Sequence, residues 1–548
     1  MATKRAKKAT KTATAANSAA AGAVAAKPGR LAPRPGGVAV RMYRHGLGDC
    51  LLLAFGRKGR PFYMMIDCGV ILGTPNAAEW IGRVLGNVWD ETGGRLDVLV
   101  ATHEHWDHVS GFVQAEDRFA PASDGDPARP VLQVEQVWMG WTEDPSDKTA
   151  KAIRDDRANK LKGLAAAMKQ FKDRGFAMDQ GLPLGVANLL SFFGMEAGDG
   201  SEPFAAKGGT TNKAIENVRR FGRIAPRYCR PDEKPWTDPT LEGLRIYTLG
   251  PPLSEALLKK TFAKAEVYHA ALSTAPADSF FAAAGGLATG DDSLEDVYER
   301  YCPFDSAHGT ANIQSLKKLA DDGAKAAAPG AEPPGEASGE ANAVATFFDR
   351  YYWGRGPDAA PDQSWRRIDA NWLDASRDFA LQLDSATNNT SLVLAIELVE
   401  SKKVLLFAAD AQVGNWLSWQ DLKWKIDATT TVTGPDLLKR TVFYKVGHHG
   451  SHNATLRTKG LEKMESPDLV AMIPVHRKTA EDQEWEFPYP PLWERLKEKA
   501  HGRVLLADAV DVNEIAEEAQ ALLSSDDWKS FQKSINFTDL YVEYRLAY

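Results

Sequence analysis

A strand-sized apolar run, DVLVAT, passes without interruption into HEHWDHVSG, placing His103, His105 and His108 within six positions alongside Glu104 and Asp107. A chain written this way must end a buried strand at the rim of a sheet and expose a loop crowded with imidazole and carboxylate. Neutral imidazoles and carboxylates are the ligands that zinc and similar divalent ions accept, at about 2.0–2.2 Å. The bland alternative is a solvated polar loop, which gives no reason for three histidines around one aspartate. Glu104 and Trp106 alternate away from the others and are read as supports of the loop.

Two later runs repeat the arrangement. KKVLLFAADAQ delivers Asp410 at the end of an apolar stretch, and RTVFYKVGHHGSHN delivers His448, His449 and His452. Earlier strand-like runs are GVAVRMYR, DCLLLAFG and PFYMMIDCG, followed by a helix over NAAEWIGRVLGNVWDE. LQVEQVWMGW and GLRIYTLGPP read as strands. From residue 379 strands resume as FALQLD, TSLVLAIELV, LVAMIPV and DLYVEYRL. Between them, residues 143–240 and 253–375 are largely Lys-, Ala-, Glu- and Leu-rich, with helical spacing in KAIRDDRANKLKGLAAAMKQF and TTNKAIENVRRF. Around 320–342 the spacing decays into Pro, Gly, Ala and Glu, as in a flexible loop. The expectation is an α/β sandwich interrupted by two helical insertions, with no internal repeat of fixed period.

Composition narrows the class. The chain has 25% charged residues and 44% hydrophobic ones, as a globular protein with a sizeable core requires. No apolar run reaches the roughly 18–20 residues that span a bilayer. Four cysteines with no CxxC pair fit a reducing compartment, so a soluble, cytoplasmic protein without a membrane partner is expected. Residues 1–36 carry eight Lys or Arg and no acid, leaving 58 cations against 73 acids in the body. This tail is expected to be disordered and not a signal peptide. It either holds an acidic partner such as nucleic acid or is merely solvated.

HEHWDH matches the HxHxDH signature of the metallo-β-lactamase superfamily. GLGDCLLL, MMIDCG, GLRIYTLGPP, NNTSLVLAIE, VLLFAAD and VGHHGSHNAT, in that order, resemble the motifs of its ComEC-type branch, over residues 38–141, 241–252 and 376 to about 500. The resemblance implies an αββα sandwich spanning 37–548 with a site for two divalent ions, zinc or manganese, at one sheet edge. By position, His103 and His105 belong to one metal, Asp107 and His108 to the other, and Asp410 bridges them. His449 or His448 completes the second site. Asp49 and Asp67 match positions that orient ligands. Where many superfamily members supply a further histidine, this chain reads ATNNTSLVL, with Asn388 and Asn389, so the first metal would be held loosely. His308 is a remote substitute.

The implied chemistry is hydrolysis by a metal-activated water, with Asp107 the catalytic carboxylate. DNA or RNA phosphodiesters are the first substrate class expected. A small phosphoester, a cyclic nucleotide or a lactone is the alternative, and a metal-binding effector subunit of a bacterial defence system is a further one. The insertions could form a lid or bind a protein partner. Arg220, Arg223, Arg227 and Arg230 are the one basic stripe near the motifs.

Overall fold

The computed structural model describes residues 30–119, 130–173, 187, 190–195, 210–241, 243–261, 263, 266–267, 347, 350–351, 381, 383–483 and 485–546. The protein is a mixed α/β fold built on two large sheets. The first contains β1 (Val38–Tyr43), β2 (Leu51–Phe55), β3 (Phe62–Ile66), β4 (Arg95–Ala101), β5 (Gln133–Gly140), β6 (Arg227–Cys229), β15 (Ile535–Phe537) and β16 (Tyr541–Leu546). Its order is β15-β16-β1-β2-β3-β4-β5-β6. The second contains β7 (Leu244–Gly250), β8 (Val393–Leu398), β9 (Lys403–Phe407), β12 (Thr441–Lys445), β13 (Val470–Ile473) and β14 (Val504–Leu506), ordered β14-β13-β12-β9-β8-β7. β10 (Lys423–Lys425) and β11 (Thr431–Thr433) form a separate ribbon.

Both sheets share one wiring. β1, β2 and β3 are mutually antiparallel neighbours, and β3, β4, β5 and β6 then run parallel. Likewise β7, β8 and β9 are antiparallel, and β9, β12, β13 and β14 run parallel. Parallel neighbours deliver their carboxyl ends to the same edge, where open α/β sheets carry their ligand loops. The two halves are thus topological repeats, although no repeat is visible in the sequence.

The strands are apolar on both sides because both faces are covered. Period two then sorts side chains between layers instead of between protein and water. Val40, Leu53, Met64 and Val98 of the first sheet share one core between the sheets with Leu394, Ile396, Leu405, Phe443 and Met472 of the second. Leu52, Met65 and Leu99 point the other way, onto Ile81, Val84, Leu85 and Val88 of the helix Ala77–Thr92. The i, i+3, i+4, i+7 spacing of these four helical residues makes one apolar stripe. On the second sheet's outer face, Ala395 and Leu406 pack with Trp416, Trp419, Leu437 and Leu492.

Three expectations are corrected. Of the expected strand FALQLD, Leu381, Leu383 and Asp384 are described and are helical, as is the run to Asn388: the Asn389 N–H bonds Ser385 O at 3.0 Å, and the side chains of Thr387 and Asn388 bond back to Leu383 O and Asp384 Oδ2. The 143–240 segment is not a purely helical insertion. It supplies the helix Lys148–Asp173, but also edge strand β6 and the helix Thr211–Phe221, whose Ala214, Ile215 and Val218 join the first sheet's outer core. The tail does not extend to residue 36: Leu31 is buried, with its N–H on Glu91 O at 3.1 Å and its carbonyl accepting from Tyr63 Oη at 3.0 Å. Residues 1–29, the 320–342 loop and most of 253–375, including His308, lie outside the described residues.

A buried ion cluster staples the second sheet away from its ligand edge. Glu397 on β8 accepts from Arg245 (2.9 Å) and Tyr247 (2.9 Å) on β7 and from Arg440 (2.6 Å) ahead of β12. Burial works to raise the Glu397 carboxyl, but these donors prevail and hold it below its ordinary value. Its stabilisation is therefore complete above the unfolded value near pH ~4.3 and disappears as acid titrates the folded carboxylate. Glu397→Gln should cost about 2 kcal/mol at neutral pH. Melting curves from pH 6 to 3 should show the gap between wild type and variant closing in acid.

Candidate metal centre

The site is assembled by loops leaving the carboxyl ends of β3, β4, β9 and β12. Two of these strands belong to each sheet. After β3, Asp67 adopts a left-handed backbone (φ 56°) and turns its carboxylate under the next loop. Its oxygens accept from the Thr102 N–H (2.8 Å) and Thr102 Oγ1 (2.7 Å), and from His108 Nδ1 (2.8 Å). Thr102 O in turn accepts from the Leu392 N–H of the second sheet at 2.8 Å, locking the two sheet ends together.

Glycines let neighbouring loops press against the HEHWDH backbone. The Asp49 N–H bonds Asp107 O, and the Cys68 N–H bonds His108 O, both at 2.9 Å. A Cβ at Gly69 would lie 2.4 Å from both Asp107 C and His108 N, so that position has no room for a side chain.

Strain concentrates here. Of the seven non-glycine residues with positive φ among those described, four are Asp67, Ala409, His448 and His449. Such backbone costs of order 1–3 kcal/mol per residue and persists where surroundings over-determine it.

Four predicted ligands converge closely: the ligand atoms of Asp107, His108, Asp410 and His449 all lie within 4.8 Å of one another. His108 Nε2 is 3.1 Å from Asp410 Oδ2 and 3.7 Å from Asp107 Oδ2, and His449 Nε2 is 2.9 Å from Asp107 Oδ2. His103 and His105 flank the group, with ring centroids 4.7 Å apart and His103 4.2 Å from His108. Every one of these side chains is buried. His103 Nε2, both nitrogens of His105 and Asp107 Oδ1 have no hydrogen-bond partner among the described residues. Leaving so many polar atoms dry and unmatched costs roughly 1–3 kcal/mol each, and a divalent cation is the group that this donor set fits. The buried His/Asp groups could hold a metal ion.

The electrostatics agree. Burial drives His103 well below its ordinary value and His105 down to about 3, leaving neutral imidazoles with free lone pairs. Burial opposes charge on Asp410 too, but His108 and Lys445 overcome it and hold this carboxyl well down. Burial likewise opposes Asp107, whose carboxyl His108 and His449 nevertheless hold low.

The remaining expected residues divide. His448 is not within the tight cluster: its Nδ1 contacts Gln412 Nε2 (3.2 Å) and Ser451 Oγ (3.0 Å), while its N–H donates to Asp410 Oδ1 (3.1 Å). His449 occupies the ligand position instead, with Nδ1 on Pro474 O. His452 turns toward Tyr489. Asp49 stands 3.8 Å from His108 Nδ1 and pairs with Lys445. Asn389 is structural, donating to Leu258 O and Lys260 O and accepting from the Asn415 N–H. Asn388 reaches Asp384.

Two participants escaped the sequence reading. Lys445, buried in β12, pairs with Asp49, donates to Ala409 O at 3.0 Å and stands 3.5 Å from Asp410 Oδ1. Asp384, brought in by the unforeseen helix, lies 3.8 Å from His105 Nε2. The inward-pointing lysine in VFYKV and the carboxylate four residues before Asn388 were the available signals.

Above the ligands sits an aromatic roof. Phe193 meets His105 edge-on at 4.8 Å, and Phe192 stacks on Trp485 at 5.3 Å. Phe487 covers His448 and His449 at 5.8 and 6.0 Å. The loop's own Glu104 pairs with the buried Arg157 of the helix Lys148–Asp173. Burial pushes Glu104 up to about 7 against the pull of Arg157.

Comparison of the chain with protein-family models, curated proteins and solved structures gives no match.

Gly69→Ala should cost about 2 kcal/mol by overpacking and weaken binding of divalent ions, since the added methyl displaces the Asp107–His108 backbone. Gly82→Ala, in the helix Ala77–Thr92 with nothing within 4 Å of its added Cβ, should instead gain roughly 0.5–1 kcal/mol. Melting temperatures and zinc titration calorimetry check both.

Proposed function

We propose that this protein is a metal-dependent hydrolase of the metallo-β-lactamase type, ComEC-like branch, using two divalent cations, zinc or manganese, to cleave phosphodiesters. The observation that carries the reading is the convergence of Asp107, His108, Asp410 and His449 from both sheets, with His103 and His105 beside them. Charge supports a cationic guest: among the described residues, Asp49, Asp67, Asp107, Asp384 and Asp410 are five buried carboxyl groups against one buried ammonium, Lys445. The layering, with one core between the sheets and helices on both outer faces, supports the αββα assignment.

When bound, such cations would supply Lewis acidity and a water-derived nucleophile at neutral pH. The chain's own residues hold and orient. Asp67 fixes the tautomer of His108 by accepting from Nδ1 and leaves Nε2 as the ligand atom. Pro474 O does the same for His449. Asp107 keeps Oδ1 free of any donor among the described residues, so it can take the proton of an attacking water. Phe192, Phe193 and Phe487 exclude bulk water from the ligands.

The aromatic roof favours a second reading within this chemistry: a small phosphoester, cyclic nucleotide or lactone instead of a long polymer. The arginine stripe gives polyanions little purchase, since Arg220, Arg223, Arg227 and Arg230 each face an acid, Glu116, Glu135, Glu233 and Asp147 with Asp232. Nucleic acid would then depend on the basic tail.

Purified protein should hold up to two divalent ions per chain, and Asp410→Ala should lose most of both by elemental analysis. Asp107→Asn should lower cleavage of bis-p-nitrophenyl phosphate on the order of 10²-fold or more with little change in melting temperature. Equal rates for wild type and Asp107→Asn on this ester, single-stranded DNA and duplex DNA would sink the phosphodiesterase reading.

A further inference from the structure

Asp384 is a buried carboxyl group with no lysine or arginine partner among the described residues. Its residue is only 5% exposed. Oδ2 accepts from Asn388 Nδ2 at 3.1 Å, but Oδ1 has no hydrogen-bond partner among the described residues. That oxygen is 3.8 Å from His105 Nε2, which also has no hydrogen-bond partner among the described residues. Two atoms each about 2.1 Å from one ion stand roughly 3–4 Å apart, so this spacing is that of two ligands to a shared cation. His103 Nε2, also buried and unmatched, lies on the neighbouring ring. No arginine or lysine contacts Asp384 among the described residues, whereas Glu104, equally buried in the adjacent loop, has Arg157. Burying a carboxyl group without a cationic partner is costly, and the fold retains one whose free oxygen faces the unmatched Nε2 of His105.

We propose that Asp384 is the third protein ligand of the first cation site, joining His103 and His105 and giving that site a two-histidine, one-carboxylate set. The proposal rests on the metal-hydrolase reading and specifies it. Asn388 becomes the residue that orients this ligand through Oδ2. Exchanging an imidazole for a carboxylate hardens the donor set and favours manganese over zinc relative to a site of three histidines. It also brings a fifth buried carboxyl group to the cluster around Lys445. The helix over 383–388, and with it the second insertion's return to the core, is thereby tied to metal binding.

Apoprotein prepared with chelator is titrated with Mn²⁺ and with Zn²⁺ by calorimetry, and Mn²⁺-loaded samples are examined by electron paramagnetic resonance. Wild type should take two ions and show an exchange-coupled manganese pair. Asp384→Asn should keep one site, weaken the other roughly tenfold or more, and show an uncoupled signal. Its apoprotein should melt no lower than wild-type apoprotein, because a buried carboxyl with no cationic partner is replaced by a neutral amide of the same shape. Asp384→His should hold two ions with the Zn²⁺-to-Mn²⁺ affinity ratio raised roughly tenfold or more, and it carries the test if the asparagine variant fails to fold. Two ions bound at unchanged affinity and coupling in Asp384→Asn, or an unaltered metal preference in Asp384→His, would overturn the assignment while leaving the hydrolase reading intact. Wild type that binds neither ion would overturn both.

Discussion

His108 lies between two carboxylates from different sheets, with Asp67 2.8 Å from Nδ1 and Asp410 3.1 Å from Nε2. One imidazole thus spans the gap between the halves of the fold. Asp67 follows β3 in the first sheet, and Asp410 follows β9 in the second. Burial and opposing charges compete at this ring: burial favours its neutral form, while Asp410, Asp107, Asp49 and Asp67 together raise its pKa well above the ordinary value. That competition requires a cation, either a proton on His108 or a metal ion beside it. The left-handed backbone at Asp67, Ala409, His448 and His449 is held against its own strain by the packing around this contact.

Much of the site was legible because its ligands are local. HEHWDH carries four candidate ligands in one loop, and residues this close in sequence reach one point without a long chain being ordered. The helix Ala77–Thr92 and the long strands were legible for the same reason, as their patterns lie within one element. Asp384 was hidden by ambiguity of period: FALQLD alternates as a strand does, and the helix shows only once the backbone from residue 383 on bonds i−4, as from the Asn389 N–H to Ser385 O. Lys445 was hidden by context. A lysine in a strand ordinarily reaches water, and only the tertiary placement of Asp49 and Asp410 makes a buried ammonium tolerable. The helix Thr211–Phe221 was recognisable as a helix, but which layer it would cover depended on β6 pairing with β5.

The apolar surroundings serve the polar centre. Phe192 and Phe193 pack against His105, and Arg157 of the long helix Lys148–Asp173 clasps Glu104 between the candidate ligands His103 and His105. A displacement of that helix would therefore move the ligand loop and its roof together. Water exclusion by this roof strengthens every electrostatic interaction beneath it, because the effective dielectric falls.

The repeated wiring of the two sheets has a consequence for how ion preference can drift. Each half contributes part of the ligand set, and the layer separating the halves is apolar, including Phe407 and Phe443 at 5.4 Å and Phe443 stacked on Tyr544 at 5.9 Å. Asp67 follows a strand of one sheet and Asp410 a strand of the other, so the packing of that layer bears on their separation. Interiors packed like crystals transmit a methylene's change in volume, and coordination tolerates deviations of only ~0.2 Å. In the proposed metal centre, substitutions deep in the hydrophobic middle, far from the candidate ligands, would thus act as a calibration screw, selecting among cations by radius while the candidate ligands stay the same.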